Sequence, residues 1–283
     1  LMDYDTVIKF GKKVNVLTIE IENVNVNALE DLEKEGIKVF PSSKTIRTIQ
    51  NKAHQKLFYT DYEIPTAPYS RYAYTDEIVT ALKHNTIDFP FVWKSTQFGY
   101  DGTGVKIIRS LSDLDNLPNV ECITEKLIPF KNELAVIVAR NIDGETKTYP
   151  VVEMEFHPQA NQVEYVICPA RIPKDIVQKA TDIALKVSRA FEHVGLLAVE
   201  MFLTPDNQIL VNEVAPRPHN SGHYSIEASY TSQFEQHLRA ILNLPLGNSS
   251  SKLGGVMVNL VGEEKYTGNV IYKNIETILH MNG

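Results

Sequence analysis

The sequence predicts an α/β (α+β) chain in which a short βαβ unit leads into a mostly antiparallel domain. Three observations carry this. The first forty residues alternate helical and extended patterns. Runs rich in β-branched and aromatic residues crowd the stretch from Phe89 to Phe156. One long amphipathic helix, Lys174 to Glu192, then separates them from a further hairpin. Parallel units joined by helices, followed by strands that need only turns, are the marks of a mixed fold.

Taken in order, VNVLTIEIENV (Val14 to Val24) and IKVFP read as the two strands of the βαβ unit. Ser42 and Ser43 cap a helix in which Ile46, Ile49, Ala53 and Leu57 recur at helical spacing, ending before EIPTAPY with its two prolines. A domain boundary is therefore expected near residue 62. FPFVWKS and GVKIIRS flank the loop STQFGYDGTG, and strands are predicted at Cys122 to Leu127, Leu134 to Arg140 and Thr148 to Phe156. In the helix 174–192, Val177, Ala180, Ile183, Ala184, Val187 and Phe191 share one side. A last helix is expected at Ser232 to Leu242, and GGVMVNLVG opens a further small β unit. The expected division is 1–62, 63–248 and 249–283. Both ends read as cut: the chain opens on an apolar residue without an initiating strand and stops at MNG before the last unit looks complete.

Composition narrows the function. Of 283 residues 43% are hydrophobic, enough for a sizeable core. Lys and Arg number 28 against 35 Asp and Glu, a net charge of −7 without a basic block, which argues against nucleic acid or an anionic membrane as partner. Small molecules are the better expectation. Cys122 and Cys168 are too few and too distant for a disulfide framework or a zinc cluster, and no run is long enough to span a bilayer; a cytoplasmic protein is expected.

The chemistry concentrates in two places. LLAVEMFLT and QILVNEVAP are joined by PDNQ, a turn-forming sequence, so a hairpin 196–215 centred between Asp206 and Asn207 sets Glu200 across from Glu213. Like charges about 5 Å apart destabilise a sheet unless something cationic lies between them. An oxygen-only donor set suits Mg²⁺ or Mn²⁺, and Mg²⁺ commonly shares its sites with substrate phosphates, so a nucleotide is implied. The second place is the glycine hairpin 95–104, which joins two strands and so differs from loops that open a helix. Gly99, Gly102 and Gly104 leave it free to lay backbone N–H groups over phosphates, and Lys94 stands on the strand that enters it. Taken alone, Lys94 reads equally as a snorkelling lysine and Lys52 as a solvated charge.

In sequence order, the lysine strand, glycine hairpin, EKL connection, carboxylate hairpin and Arg-rich loop resemble the ATP-grasp fold. NEVAPRPHNSGHYSIEASYTSQFEQHLRAILNLPLG further resembles the signature of the 5-(carboxyamino)imidazole ribonucleotide synthetases, with GYDGTG, IEIENV and CPARIP in support. That resemblance implies an ATP-grasp domain preceded by part of a pre-ATP-grasp domain. It implies a ligase of purine biosynthesis, in which ATP phosphorylates bicarbonate to carboxyphosphate and 5-aminoimidazole ribonucleotide takes up the carboxyl group. It also implies a homodimer.

Carried over residue by residue, Lys52 and Lys94 contact ATP phosphates, and Gly99, Tyr100, Asp101, Gly102, Thr103 and Gly104 close over them. Glu125, Lys126, Leu127 and Ile128 face adenine, Glu133 the ribose, and His157 the nucleotide. Glu200, Asn212 and Glu213 form the metal and phosphate end, with Glu200 and Glu213 as metal ligands. Arg217, His219 and Asn220 hold bicarbonate and carboxyphosphate. Thr103, Val105 and Lys52 depart from the usual basic residue, Gln and Arg of the family. Its GxGQLG loop and RPGRKMGH segment, used on the ribonucleotide, are not in these 283 residues. Two rival readings are another ATP-grasp carboxylase or ligase, opposed by the PRPHNSGH loop, and an inactive nucleotide-binding module, opposed by the presence of Lys94, Glu200, Glu213 and Arg217.

Overall fold

The computed structural model describes residues 1–97, 104–157, 163–260, 268–269 and 271–281. Helix α1 (Tyr4–Gly11), strand β1 (Val16–Thr18), helix α2 (Val26–Lys34) and strand β2 (Lys38–Phe40) build the first unit, with β1 and β2 paired in parallel. Val7, Leu17, Ala28, Leu29, Leu32 and Val39 form its core. The strand expected over Val14 to Val24 is only three residues long. Its partner β2 is equally short, and beyond Thr18 the chain turns to reach the Asn25 cap of α2, whose side chain accepts from the Ala28 N–H. Glu20 and Glu22 therefore lie on a turn at the end of a parallel strand.

The single helix expected from Ser42 is two, α3 (Ser43–Ile49) and α4 (Lys52–Asp61). Ser42 caps the first through the Thr45 N–H; Asn51, in extended conformation, caps the second through the N–H groups of Ala53 and His54. Asn competes for backbone donors inside a helix and serves better as a cap, so helical spacing continued across a break it did not reveal. The break places Lys52 first in α4.

Next comes a four-stranded antiparallel sheet, ordered β3 (Tyr69–Tyr72), β6 (Cys122–Lys126), β4 (Phe91–Ser95), β5 (Val105–Ile108), with helix α5 (Glu77–Lys83) against it. Phe91 and Trp93 point into a cluster with Ile78, Ile108 and Cys122, which leaves Lys94 on the other face. A larger antiparallel sheet runs β12 (Ile209–Ala215), β11 (Gly195–Leu203), β7 (Asn132–Arg140), β9 (Val152–Phe156), β10 (Val163–Cys168), β13 (Gly255–Val258), and β8 (Thr146–Thr148) joins β7. The strand expected over Thr148 to Phe156 is thus split around Pro150, which cannot donate to a ladder. GGVMV pairs along β10, extending this sheet.

Helix α6 (Lys174–Phe191) lies on one face of the large sheet, burying Ile176, Ala180, Ala184, Val187 and Phe191 against Leu134, Val136, Val138, Leu197, Val199, Val211 and Val214. The opposite face, carrying Ala135, Ile137 and Ala198, is closed in part by α7 (Ser225–Ala228) and α8 (Gln233–Ile241). A short helix, α9 (Ile275–Leu279), follows. No helix among the described residues is long and apolar enough to cross a membrane.

One histidine ties the first unit to this scaffold. His237 of α8 is buried, accepts the Leu196 N–H at Nδ1 (3.3 Å) and meets Thr18 Oγ1 with Nε2 (2.8 Å). Since Nδ1 accepts, the proton sits on Nε2 and the ring is neutral. Burial lowers its pKa from 6.5 to about 4, and His193, also buried, shifts likewise. Between these values the unfolded chain binds a proton that the folded chain refuses. The stability contributed by each ring is complete above pH 6.5 and is lost as pH falls toward 4, roughly 1.4 kcal/mol per pH unit. Urea unfolding of His237→Gln should therefore show a loss between pH 7 and 4.5 smaller than wild type by about 2–3 kcal/mol.

Candidate active site

The β11–β12 hairpin turns through Thr204, Pro205, Asp206, Asn207 and Gln208. Asn207 N–H donates to Thr204 O (3.0 Å), Thr204 N–H to Gln208 O (3.0 Å), and Asn207 takes φ 62°, a left-handed value Asn tolerates. From this turn the partners run Leu203 with Ile209, Phe202 with Leu210 and Met201 with Val211; then Glu200 pairs with Glu213 and Val199 with Val214. Asn212 is one residue too many, a β-bulge. The two carboxylates face each other as the sequence predicts, but the turn is centred on Asp206 and the bulge supplies the difference. Val211 and Val214 both enter the core under α6, so Asn212 and Glu213 both point to the opposite face.

Glu133 of β7 shares that face, one step diagonally from Glu200. Its carboxyl is pushed up to about 8 by burial, then by the charges of Glu200 and Glu213. Each acid of the pair has its own partner: Lys52 Nζ reaches Glu213 Oε2 at 3.2 Å, and His219 Nε2 reaches Glu200 Oε1 at 3.2 Å. Glu213 is held well below the usual carboxylate range, by Lys52 foremost and by Lys94 next. Lys52, in turn, is raised by Glu213. A cation in the first turn of a helix opposes the helix dipole by roughly 0.3–1 kcal/mol. The ion pair with Glu213 offsets that.

Beyond Ala215 the loop is organised by Gln233, fully buried at the start of α8. Its Oε1 accepts the His219 N–H (2.9 Å), and its Nε2 donates to His219 O and to His223 Nδ1 (both 2.8 Å). His219 Nδ1 accepts the Ser221 N–H (3.3 Å) and lies 2.9 Å from Ser221 Oγ, so its proton is on Nε2, aimed at Glu200. Arg217 Nε donates to Glu22 Oε2 at 2.8 Å and Nη1 to Pro218 O at 3.0 Å. Asn220 opens the short 3₁₀ turn that follows. His223 stacks on Phe234 and its pKa is lowered, chiefly by burial.

The small sheet supplies Lys94, whose Nζ lies 3.1 Å from Glu125 Oε1 and 3.2 Å from Asn212 Oδ1. Glu125 is 4% exposed and also pairs with Lys56 at 3.2 Å. Its carboxylate is thus buried between the two ammonium groups, and Lys126, Leu127 and Ile128 are the more open part of that segment. Gly104 ends the glycine hairpin; Gly99, Tyr100, Asp101, Gly102 and Thr103 lie outside the described residues. His157 stands half-buried just after β9. Lys52, Lys94, Glu133, Glu200, Asn212, Glu213 and His219 are therefore gathered, with Arg217 beside them. Sequence reasoning missed Glu22, Lys56 and Gln233; an acid in the turn after a parallel strand was the one available signal for Glu22.

Among the described residues no group of three or more His, Cys, Asp or Glu is placed to hold a metal by itself. Two facing carboxylates, beside a third acid raised by burial and then by their charge, do fit Mg²⁺ that also takes phosphate oxygens. Two open grooves, of about 440 and 320 Å³, flank the hairpin turn; neither is lined by Glu200, Glu213 or Arg217.

Residues 57–234 match the ATP-grasp domain and residues 1–50 the ribonucleotide synthetase preATP-grasp domain. The N5-carboxyaminoimidazole ribonucleotide synthase of Bacillus subtilis is 40% identical over 93% of this chain and 69% of its own length. This chain belongs to the ATP-grasp family of N5-carboxyaminoimidazole ribonucleotide synthases. The crystal structure of the Aspergillus clavatus synthase, in complex with ADP and 5-aminoimidazole ribonucleotide, has a TM-score of 0.85 at 36% identity, covering 93% of this chain and 69% of that one. The phosphoribosylaminoimidazole carboxylase of Vigna aconitifolia is 40% identical over 91% of this chain, which spans 46% of its length. The chain thus covers about half of some relatives and about two thirds of the synthases.

Gly222 lets the loop after β12 sit directly on the sheet. A Cβ there would stand 2.3 Å from Ile137 Cδ1 and 2.6 Å from Gln233 Oε1. Gly222→Ala should lower stability by about 1–3 kcal/mol, measured by urea unfolding at pH 7.

Proposed function

We propose that this chain carries the ATP-dependent carboxylation of 5-aminoimidazole ribonucleotide with bicarbonate, giving 5-(carboxyamino)imidazole ribonucleotide, ADP and phosphate. The observation that supports it most is the meeting of Lys52, Lys94, the Glu200–Glu213 pair and the Arg217–His219 loop on one face, together with the ligands of the Aspergillus clavatus synthase.

In this reading the γ-phosphoryl of ATP passes to a bicarbonate oxygen, forming carboxyphosphate and ADP. The ribonucleotide amine then attacks the carboxyl carbon, phosphate departs and the amine loses a proton. Phosphoryl transfer is chiefly positioning and charge neutralisation, which suits a site of fixed cations and donors. Lys52 and Lys94 hold ATP phosphates, with residues 99–104 over them; Lys126, Leu127 and Ile128 meet adenine, Glu133 the ribose and His157 the nucleotide. Glu200 and Glu213 would hold Mg²⁺ (or Mn²⁺), with Asn212 at the phosphate end. That ion supplies positive charge against the phosphates.

Arg217 keeps a guanidinium edge for a planar anion while Glu22 fixes its Nε. His219, with its proton on Nε2, is suited to donate to bicarbonate or carboxyphosphate, and Asn220 adds an amide. From the same resemblance we infer a homodimer, and from the composition a cytoplasmic location; the free, buried thiols of Cys122 and Cys168 accord with a reducing compartment.

Two measurements test this. ADP release by the purified full-length protein, with ATP, Mg²⁺ and bicarbonate, should rise at least about tenfold on adding 5-aminoimidazole ribonucleotide. No stimulation sinks the reading. Glu213→Gln should lower kcat by about 10²-fold or more while its thermal midpoint stays close to wild type. Near-normal turnover would remove Glu213 from the metal site.

A further inference from the structure

Behind the gathered residues runs a buried polar circuit that starts on α4. Lys56 Nζ lies 3.2 Å from Glu125 Oε1 and donates to Thr66 Oγ1 at 2.5 Å; Thr66 donates in turn to Val211 O at 2.8 Å. On its other side Glu125 Oε1 meets Lys94 Nζ at 3.1 Å, and Lys94 reaches Asn212 Oδ1 at 3.2 Å. The circuit leaves β12 at Val211 and returns to it at Asn212. It crosses α4 and two strands of the small sheet on the way. Lys56 is 2% exposed and Glu125 4%, so neither is open to a ligand.

We propose that Lys56 is a positioning residue for ATP binding, fixing the Lys94 ammonium against Asn212 through the shared Glu125 carboxylate. This rests on reading Lys94 as a phosphate contact. One buried carboxylate oxygen shared by two ammonium groups leaves each only partly neutralised. Without Lys56, Glu125 would draw on Lys94 alone, pulling it away from Asn212 and spending its charge inside the protein. The small sheet would also lose its tie through Thr66 to β12.

The groups facing Lys56 are Glu125 on β6, Lys94 on β4, Lys52 on its own helix, Thr66, and the Tyr59 ring, 5.8 Å away at its centroid. Burial lowers the Lys56 pKa to about 8; Glu125 opposes this, and Lys94 and Lys52 add to it. The circuit is charged at pH 7 and loses its first cation as pH rises through about 8. ATP affinity should fall over the same interval.

The experiment is calorimetric titration of ATP into the full chain, with thermal unfolding alongside, for wild type, Lys56→Met and Lys56→Arg. Folded Lys56→Met should bind ATP about tenfold more weakly at pH 7, with the KM for bicarbonate within about twofold of wild type. Lys56→Arg, which does not titrate, should bind near wild type at pH 7 and lack the fall between about pH 7 and 9. Unchanged ATP affinity in folded Lys56→Met, with only a lower midpoint, would reduce Lys56 to a stability role. Where Lys56→Met does not fold, an unaltered alkaline fall in Lys56→Arg overturns the proposal. A wild-type chain that binds no ATP removes the parent reading and this one together; normal wild-type binding with indifferent variants removes this one alone.

Discussion

Two carboxylates set opposite each other on neighbouring strands repel, and most of the site can be understood as the means of holding them there. Glu200 and Glu213 face each other on the open side of the large sheet, with Glu133 diagonal to the pair. A sheet left to itself would not keep three acids so close. Lys52 is brought from α4 to one, His219 from the loop after β12 to the other, and Lys94 from the small sheet to the bulge between. Each comes from a different element, so the repulsion is relieved only when all of them are assembled. In the reading proposed above, a phosphate-bound cation would complete the relief.

Much of this was legible because it is local. The PDNQ turn and two alternating strands identify the hairpin, and the alternation of FVWKS puts Lys94 opposite Trp93 without further information. Helix α6 follows its apolar side closely, with Ile176 added to the buried set. Illegible were features decided by partners far along the chain. Helical spacing runs through Gln50 and Asn51, and only capping geometry reveals two helices. An alternating run such as VNVLTIEIENV looks like a long strand, yet a strand lasts only as long as its neighbour, here β2. GGVMV gives no sign of pairing with β10, nearly ninety residues earlier in the chain by its register.

The polar residues that were missed share a character. Gln233 and Lys56 are buried groups whose partners lie elsewhere in sequence, and neither residue type announces burial. Glu22 joins Arg217 across 195 residues, and Thr18 joins His237 across 219. The first unit therefore does more than precede the ATP-grasp domain: it touches the loop after β12, at Arg217, and helix α8, at His237.

The bulge at Asn212 also works as a parity switch. In a strand, side is decided by whether a position is odd or even relative to its partner. An uninterrupted hairpin from the same turn would place Glu213 beside Val199 and send its carboxylate under α6, among Val187, Leu197 and Val211. One surplus residue reverses that assignment for everything beyond it, Ala215 and the approach to Arg217 included. Insertions and deletions in this strand are consequently unequal to substitutions: loss of a single position would move the Glu213 carboxylate from the open face to the buried one, while changes in pairs would preserve its side.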